Sequence, residues 1–406
     1  MSYENNTKLL NDPDFKVVYR DFEERLIEKI QKYTISNAKD LYPRLKTKHY
    51  LAHGSYGLCP DVLLNCYREW SLDIEADPAV FYYRVLYPYL IRSIRVLADF
   101  INTKPTNVFL VPNVEIGIAS VLQNYSGRVC CFDLSYQAVV NQLEKFDLVK
   151  IPLPALGKEA ILDTLREFLQ NNTVKLGIFE HTTSPTGIVM PIKEIIEICK
   201  SFGVDTLIDG AHGIGMISLD FQELKPDYYT SNFHKWMSSP RGCAFLYVDP
   251  KHTVRPLISS WGYKLGPWNE FIWQGTNDYS AYLAIPLCIK LFKQLNYIER
   301  NNSLARWTGN ILSRAWNTKT LTNDYASMVT LTLPKNLKAD FDLHDALYDR
   351  GIQVPVFVFR NVRMMRVSIH VYNNKNDVVV LGRTVLELYG YPSDYPGYSA
   401  LLEAKL

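Results

Sequence analysis

The stretch "DYYTSNFHKWMSSPRGCAFLYV", Asp227 to Val248, sets His234 beside Lys235, between Phe233 and Trp236. Aromatic neighbours suggest a partly buried amine, and burial disfavours the charged form of lysine, which is how an amine becomes a nucleophile. Alone, the pair reads more simply as a surface lysine. Four other places bear on it. Asp209 ends "VDTLID" and His212 follows in "GAHGIG". Tyr136 follows "RVCCFDL", and "HTTSPTG", 181–187, is a turn of hydroxyls with Pro185 and Gly187. Asn113 and Val114 stand between "NVFLVP" and a helical segment. A strand that turns into a helix N-terminus presents free backbone N–H groups, which suit a phosphate. Each place has a plain structural reading too. Asp before Gly is ordinary turn chemistry, "SPTG" is a β-turn, and Tyr136 is an amphipathic strand-end residue.

Together they suit one kind of ligand. A phosphate cradle, an aromatic face, hydroxyls, a carboxylate and a guarded lysine match an aromatic, phosphorylated aldehyde, pyridoxal 5′-phosphate (PLP). PLP needs a lysine to hold its aldehyde and a carboxylate opposite its pyridine nitrogen. Lys235 and Asp209 would fill those places, and the lysine, once released, could act as base at a substrate Cα.

The elements that must position these side chains follow from the hydrophobic pattern. Short apolar runs alternate with segments of helical period, as in an α/β protein with a largely parallel sheet. The expected strands cover 107–112, 128–134, 148–153, 175–180, 204–210 and 242–248, and the expected helices 90–101, 115–125, 159–170 and 192–202. In open parallel sheets ligands collect at the carboxyl ends of the strands, where all the residues above fall. After about residue 295 the pattern becomes strand (327–334), helix (344–352), strand (365–373), helix (377–391), a smaller α+β domain. The helix at 22–33 is assigned to that domain, giving a large domain over 48–295 and a small one from 1–47 and 296–406.

Composition narrows the class. The chain has 406 residues, 47% apolar and 21% charged, as in a soluble globular protein long enough for two domains. A net charge of +2 makes no electrostatic case for nucleic acid or a membrane surface. No apolar run is long enough to span a bilayer, and the first residues lack a secretory or transit character, so a cytoplasmic location is expected, with the nucleus as alternative. Seven scattered cysteines without a CxxC pair argue against a metal site. The first turn, "VPNVEIG", is neither a dinucleotide nor a Walker A fingerprint, so nucleotide-dependent oxidoreductase and ATP readings lack support.

Four motifs carry a family resemblance: "TLIDGAHGIG" (206–215), "TSNFHKW" (230–236), "EHTTSPTG" (180–187) and "FIWQGTNDYSAYLAIP" (271–286). They resemble the class V aminotransferases of PLP fold type I, in the branch of isopenicillin N epimerase-like proteins and hercynylcysteine sulfoxide lyases. "YLAHGSYGLCP" (50–60) and "MRVSIHVYN" (365–373) match that branch's N-terminal segment and arginine motif. The resemblance implies a large domain with a mostly parallel seven-stranded sheet. It implies that Lys235 bonds the cofactor and that His234 and Asn232 lie near its phosphate or ring. Asn113 and Val114 would form the phosphate turn, Tyr136 would stack on the ring, Asp209 would pair with the pyridine nitrogen, and His212, Thr183 and Ser184 would lie near the ring oxygen. Thr276 would reach the phosphate of a neighbouring subunit, which implies a homodimer with shared active sites. Arg366 would bind the α-carboxylate of an amino-acid substrate through its fork of donors, with Ser55 and Tyr56 beside it.

One cofactor serves many reactions. Cysteine desulfuration would need a cysteine in a loop of the small domain, and residues 327–406 contain none. The first expectation is a C–S lyase that cleaves an S-substituted cysteine by β-elimination to pyruvate and ammonia. On the resemblance, its substrate would be hercynylcysteine sulfoxide in ergothioneine biosynthesis. A trimethylammonium group wants an aromatic face, which "VFYYRVLYPY" (80–89) with Trp268 or Trp273 could supply. Transamination and epimerisation stay open, as does a non-catalytic binding protein, against which the retained Asp209, Lys235 and Arg366 argue.

Overall fold

The computed structural model describes residues 8–338 and 341–403, which form two compact units. Strand β1 (His49–Tyr50) belongs to the second. The first holds β2 (Val108–Val111), β3 (Arg128–Phe132), β4 (Asp147–Ile151), β5 (Leu176–Glu180), β6 (Asp205–Asp209), β7 (Tyr228–Asn232) and β8 (Ala244–Val248). They make one seven-stranded sheet in the order β2-β8-β7-β6-β5-β3-β4, with β8 antiparallel to both its neighbours and the other strands running one way. Helices cover the sheet, so β2, β5, β7 and β8 are buried along their whole length. The edge strand β4 keeps Asp147 and Lys150 exposed, charges that discourage pairing with another chain.

Six of these strands coincide with the apolar runs of the sequence. The seventh, β7, does not, because its residues are Tyr-Tyr-Thr-Ser-Asn. Its polar groups are satisfied by neighbours: Thr230 Oγ1 donates to the Phe245 carbonyl (2.9 Å), Ser231 Oγ to the Gly210 carbonyl, and Asn232 Oδ1 accepts from the Val114 N–H (3.1 Å). A buried polar strand costs little once each group is bonded.

The second unit contains residues Ile35–Gly57, Thr183–Val189 and those from Asn296 onward. Strands β11 (Val356–Phe359), β12 (Val362–Ser368) and β9 (Met328–Thr332) form an antiparallel sheet in that order, and β1 pairs in parallel with β10 (Ile352–Gln353). Val329, Leu331, Met365 and Val367 pack with Leu312 and Trp316 of helix Ile298–Trp316 and Val378 and Val385 of helix Lys375–Leu388.

The domain boundaries differ from the sequence expectation at the N-terminus. Helix Asp21–Ile30 joins the first unit, not the smaller one, and that unit resumes at Leu58 rather than 48. The reason is a buried ion pair. Glu23, fully buried, accepts from Arg92 of helix Leu86–Phe100 (Nη1–Oε2 3.0 Å), and Phe22 meets the Trp70 ring edge-on at 5.1 Å. A buried carboxylate is tolerable only beside such a partner. Among the described residues no helix is long and apolar enough to cross a membrane.

Candidate active site

In the first unit the candidate residues gather along the edge where the parallel strands end. Lys235 lies three residues beyond β7, in a tight turn closed by the Ser238 N–H on the Lys235 carbonyl (3.0 Å). Its Nζ is 3.3 Å from His212 Nε2. The Trp236 indole N–H donates to His212 Nδ1 at 3.0 Å. An indole can only donate, so Nδ1 must accept, and a neutral His212 carries its proton on Nε2, toward the lysine amine. Asp209 ends β6, buried, with Oδ1 accepting the Ala211 N–H at 2.8 Å. Burial raises its pKa above the usual carboxylate range, offset in part by that N–H and by the charge of Lys235. Such a carboxylate favours a cation beside it.

Asn113 caps helix Val114–Leu122, its Oδ1 accepting the Ile116 N–H at 2.9 Å, while Asn232 holds the Val114 N–H. The Glu115 N–H of that first turn has no acceptor among the described residues. Tyr136 precedes helix Gln137–Leu143, and the residue is 45% exposed. His234 is held near pKa 4, by burial first and by the charges of Lys235 and Arg241. Thr276 is exposed in a loop, on the wall of a cavity of about 580 Å³ shared with Tyr82, Tyr83, Tyr87, Trp261 and Trp273. Trp268 lines a different, smaller apolar cavity.

In the second unit Arg366, on β12, is buried. Nη2 donates to Ser55 Oγ at 3.0 Å and Nη1 to the Ser184 carbonyl, while Nε has no acceptor among the described residues. Burial alone brings its pKa down to about 10; no carboxylate contributes. Ser55 and Tyr56 border an open cavity of about 1030 Å³. The Thr183 hydroxyl is spent inside its own turn, 2.6 Å from Thr186 Oγ1 and accepting the Ile188 N–H at 2.9 Å. Ser184 meets Arg366 through its carbonyl.

Several contributors escaped the sequence reading. Glu180, buried at the end of β5, accepts the Tyr136 N–H. His181 Nδ1 lies 2.8 Å from the Tyr229 hydroxyl. A carboxylate ending a predicted strand and an imidazole directly after it were the available signal for the two. Two groups have metal-ligand proximity, Asp205–Asp227–His252 and Asp342–His344–Asp345. In the first, Asp227 already pairs with Lys251.

The family model of class-V aminotransferases matches residues 131–381. The L-cysteine desulfhydrase of Arabidopsis thaliana is 30% identical over 83% of this chain and 87% of its own. The isopenicillin N epimerase of Amycolatopsis lactamdurans is 27% identical over 78% of this chain and 89% of its own. Among solved structures the cystine C–S lyase C-DES, bound to its product cysteine persulfide, is 20% identical and superposes with a TM-score of 0.73 over 86% of this chain and 99% of that one. On that likeness, with a lysine, a buried carboxylate and an amide-bearing helix start gathered at one edge of the parallel sheet, the chain belongs to the class-V aminotransferase family of PLP-dependent enzymes.

Proposed function

We propose that the chain is a C–S lyase that breaks the Cβ–S bond of a cysteine-type amino acid by β-elimination. Water is consumed, and the sulfur fragment leaves as thiol or sulfenic acid beside pyruvate and ammonia. The observation that carries an amino-acid substrate is Arg366. A buried guanidinium without a facing carboxylate is costly, and an α-carboxylate supplies the missing charge and an acceptor for Nε. Relatives named for cysteine support the choice of bond. All seven cysteines are buried, so no exposed thiol is present to accept sulfur, which favours elimination over desulfuration. Free buried thiols also accord with a cytosolic location.

The residues fit PLP. Asp209 is a buried carboxylate whose burial cost a protonated pyridine nitrogen would offset further, and Glu115 offers an N–H for phosphate. Lys235 would hold the aldehyde, Asp209 the ring nitrogen, Asn113, Val114 and Asn232 the phosphate turn, and Tyr136 a ring face. His234 and His212 would flank the site, with Thr183 and Ser184 contributing through their turn. Thr276 would serve a partner subunit in a homodimer. Bound PLP supplies an electron sink for charge left at Cα. Lys235 Nζ takes the Cα proton, and His212 Nε2, 3.3 Å away, helps orient that amine. Arg366 and Ser55 would hold the carboxylate.

One observation favours hercynylcysteine sulfoxide as substrate. Five aromatic rings line the Thr276 cavity, and none of its lining residues is Lys or Arg, a setting suited to trimethylammonium. The test is mass spectrometry of products from PLP-loaded enzyme, with added thiol, given L-cysteine or hercynylcysteine sulfoxide, and Lys235→Ala as control. Pyruvate from either substrate, made only by the wild type, establishes the lyase. Ergothioneine identifies the second substrate. Keto-acid exchange without sulfur release would replace lyase by aminotransferase.

A further inference from the structure

Beside Ser55 and Arg366 lies a buried network that the chemistry above does not use. It begins at His53, the first residue of the one-turn helix His53–Tyr56 that also carries Ser55. His53 is fully buried, and its Nδ1 lies 2.8 Å from the Tyr372 hydroxyl. The His53 ring stacks on that of His370, centroids 3.8 Å apart and planes 15° from parallel. Tyr372 is braced edge-on by Tyr42 at 4.9 Å. His370 and Tyr372 lie four and six residues after Arg366, just beyond the end of β12.

Backbone ties join the same two segments. The Ser368 N–H donates to the Leu51 carbonyl (2.8 Å), and Asn373 Nδ2 to the Tyr50 carbonyl (2.9 Å). Arg300, from helix Ile298–Trp316, donates to the carbonyls of His370 and Asn373. Residues 50–53 and 368–373 are therefore laced together, and the His53–Tyr372 contact acts through a side chain of the helix that presents Ser55. Burial keeps the Tyr372 phenol protonated, its pKa well above the usual value, so the hydroxyl retains a hydrogen to bond with.

We infer that His53 and Tyr372 are positioning residues that set Ser55 against Arg366 and so pre-form the substrate-carboxylate clamp. This rests on Arg366 as the carboxylate-binding residue. A one-turn helix has too few internal hydrogen bonds to hold its own angle. Without the His53–Tyr372 contact the Ser55 hydroxyl would keep its chemistry but lose its place, and an arginine fork that loses one anchor binds a carboxylate less tightly.

The experiment titrates PLP-loaded enzyme with L-alanine and with ethylamine, its counterpart without a carboxylate, following the visible absorbance of the bound cofactor. No turnover is needed. Wild type should prefer alanine strongly, and Arg366→Lys should erase that preference. Tyr372→Phe keeps the ring packing and removes only the hydroxyl. It should weaken alanine binding about five-fold, as for one lost hydrogen bond, and leave ethylamine unchanged. Ser55→Ala should do the same, and the double variant should be no worse than the more severe single one. If Ser55→Ala lowers the preference but Tyr372→Phe does not, the positioning role is wrong. Equal loss of both probes in Tyr372→Phe would likewise make it a general packing residue. If Arg366→Lys keeps the preference, the carboxylate reading itself fails, and with it the inference.

Discussion

Asp209 shows what a single buried group costs and what it is kept for. Its carboxyl pKa is raised by burial, so above that raised value the folded protein holds an anion at a cost that the unfolded chain does not bear. A raised carboxyl pKa subtracts stability as pH rises from the unfolded value through the folded one, and the deficit stays at neutral pH. Cofactor-free Asp209→Asn should therefore melt no lower than wild type at pH 7, while its PLP affinity falls at least about ten-fold. Thermal melts with and without PLP check this. A variant that melts several degrees lower without cofactor would show that Asp209 is structural. Asp209 and Lys235 were singled out in the sequence only through their combination with the other candidate places, since each alone has an ordinary structural reading. Trp236 was noticed as a guard, but its role in setting the His212 tautomer depends on a contact across twenty-four residues.

At the scale of elements, the turn that carries Lys235 rests on a glycine in another segment. Gly215 has φ +82°, and a Cβ there would lie 2.7 Å from the Trp236 carbonyl carbon and 2.8 Å from its oxygen. Backbone cannot yield as a side-chain tip does. Gly215→Ala should cost roughly 2–4 kcal/mol in urea unfolding, from left-handed strain plus the clash, and should reduce PLP loading at 25 °C in whatever fraction stays folded. Gly242→Ala is the control. Its φ is +81°, but a Cβ meets nothing within 4 Å, so only the strain of about 1 kcal/mol remains and PLP loading is kept. Equal losses in the two variants would mean that Gly215 matters for its backbone angle alone.

Across the whole molecule, two buried histidines make stability depend on pH. His181 and His234 are both lowered to about 4, burial being the first cause in each. Above pH 6.5 both states hold them neutral and there is no effect. As pH falls from 6.5 toward 4 the unfolded chain takes up protons that the folded protein refuses, so stability is lost, roughly 3 kcal/mol for each histidine. Between pH 7 and 4.5 the two histidines should lower the urea midpoints, Asp209 offsetting part of the fall, and His181→Gln should make the slope shallower by about one proton. A flat profile in wild type would place both imidazoles in contact with solvent.

Much of this protein could be read locally. Each apolar run of the central sheet needs two covered faces wherever it sits, so six strands were readable from hydrophobicity, and the turns after them pointed to the sheet edge where Asn113, Tyr136 and Asp209 collect. What stayed hidden depends on partners distant in the chain. The Tyr-Tyr-Thr-Ser-Asn strand is buried because Phe245, Gly210 and Val114 satisfy it. Helix Asp21–Ile30 joins the larger unit because Arg92 neutralises Glu23. Trp273, not Trp268, shares a cavity with Tyr82 and Tyr87. Apolar surface seeks burial without regard to partner, so a sequence declares it. A polar group can be buried only where a specific partner awaits it, and that partner exists only once the chain has folded.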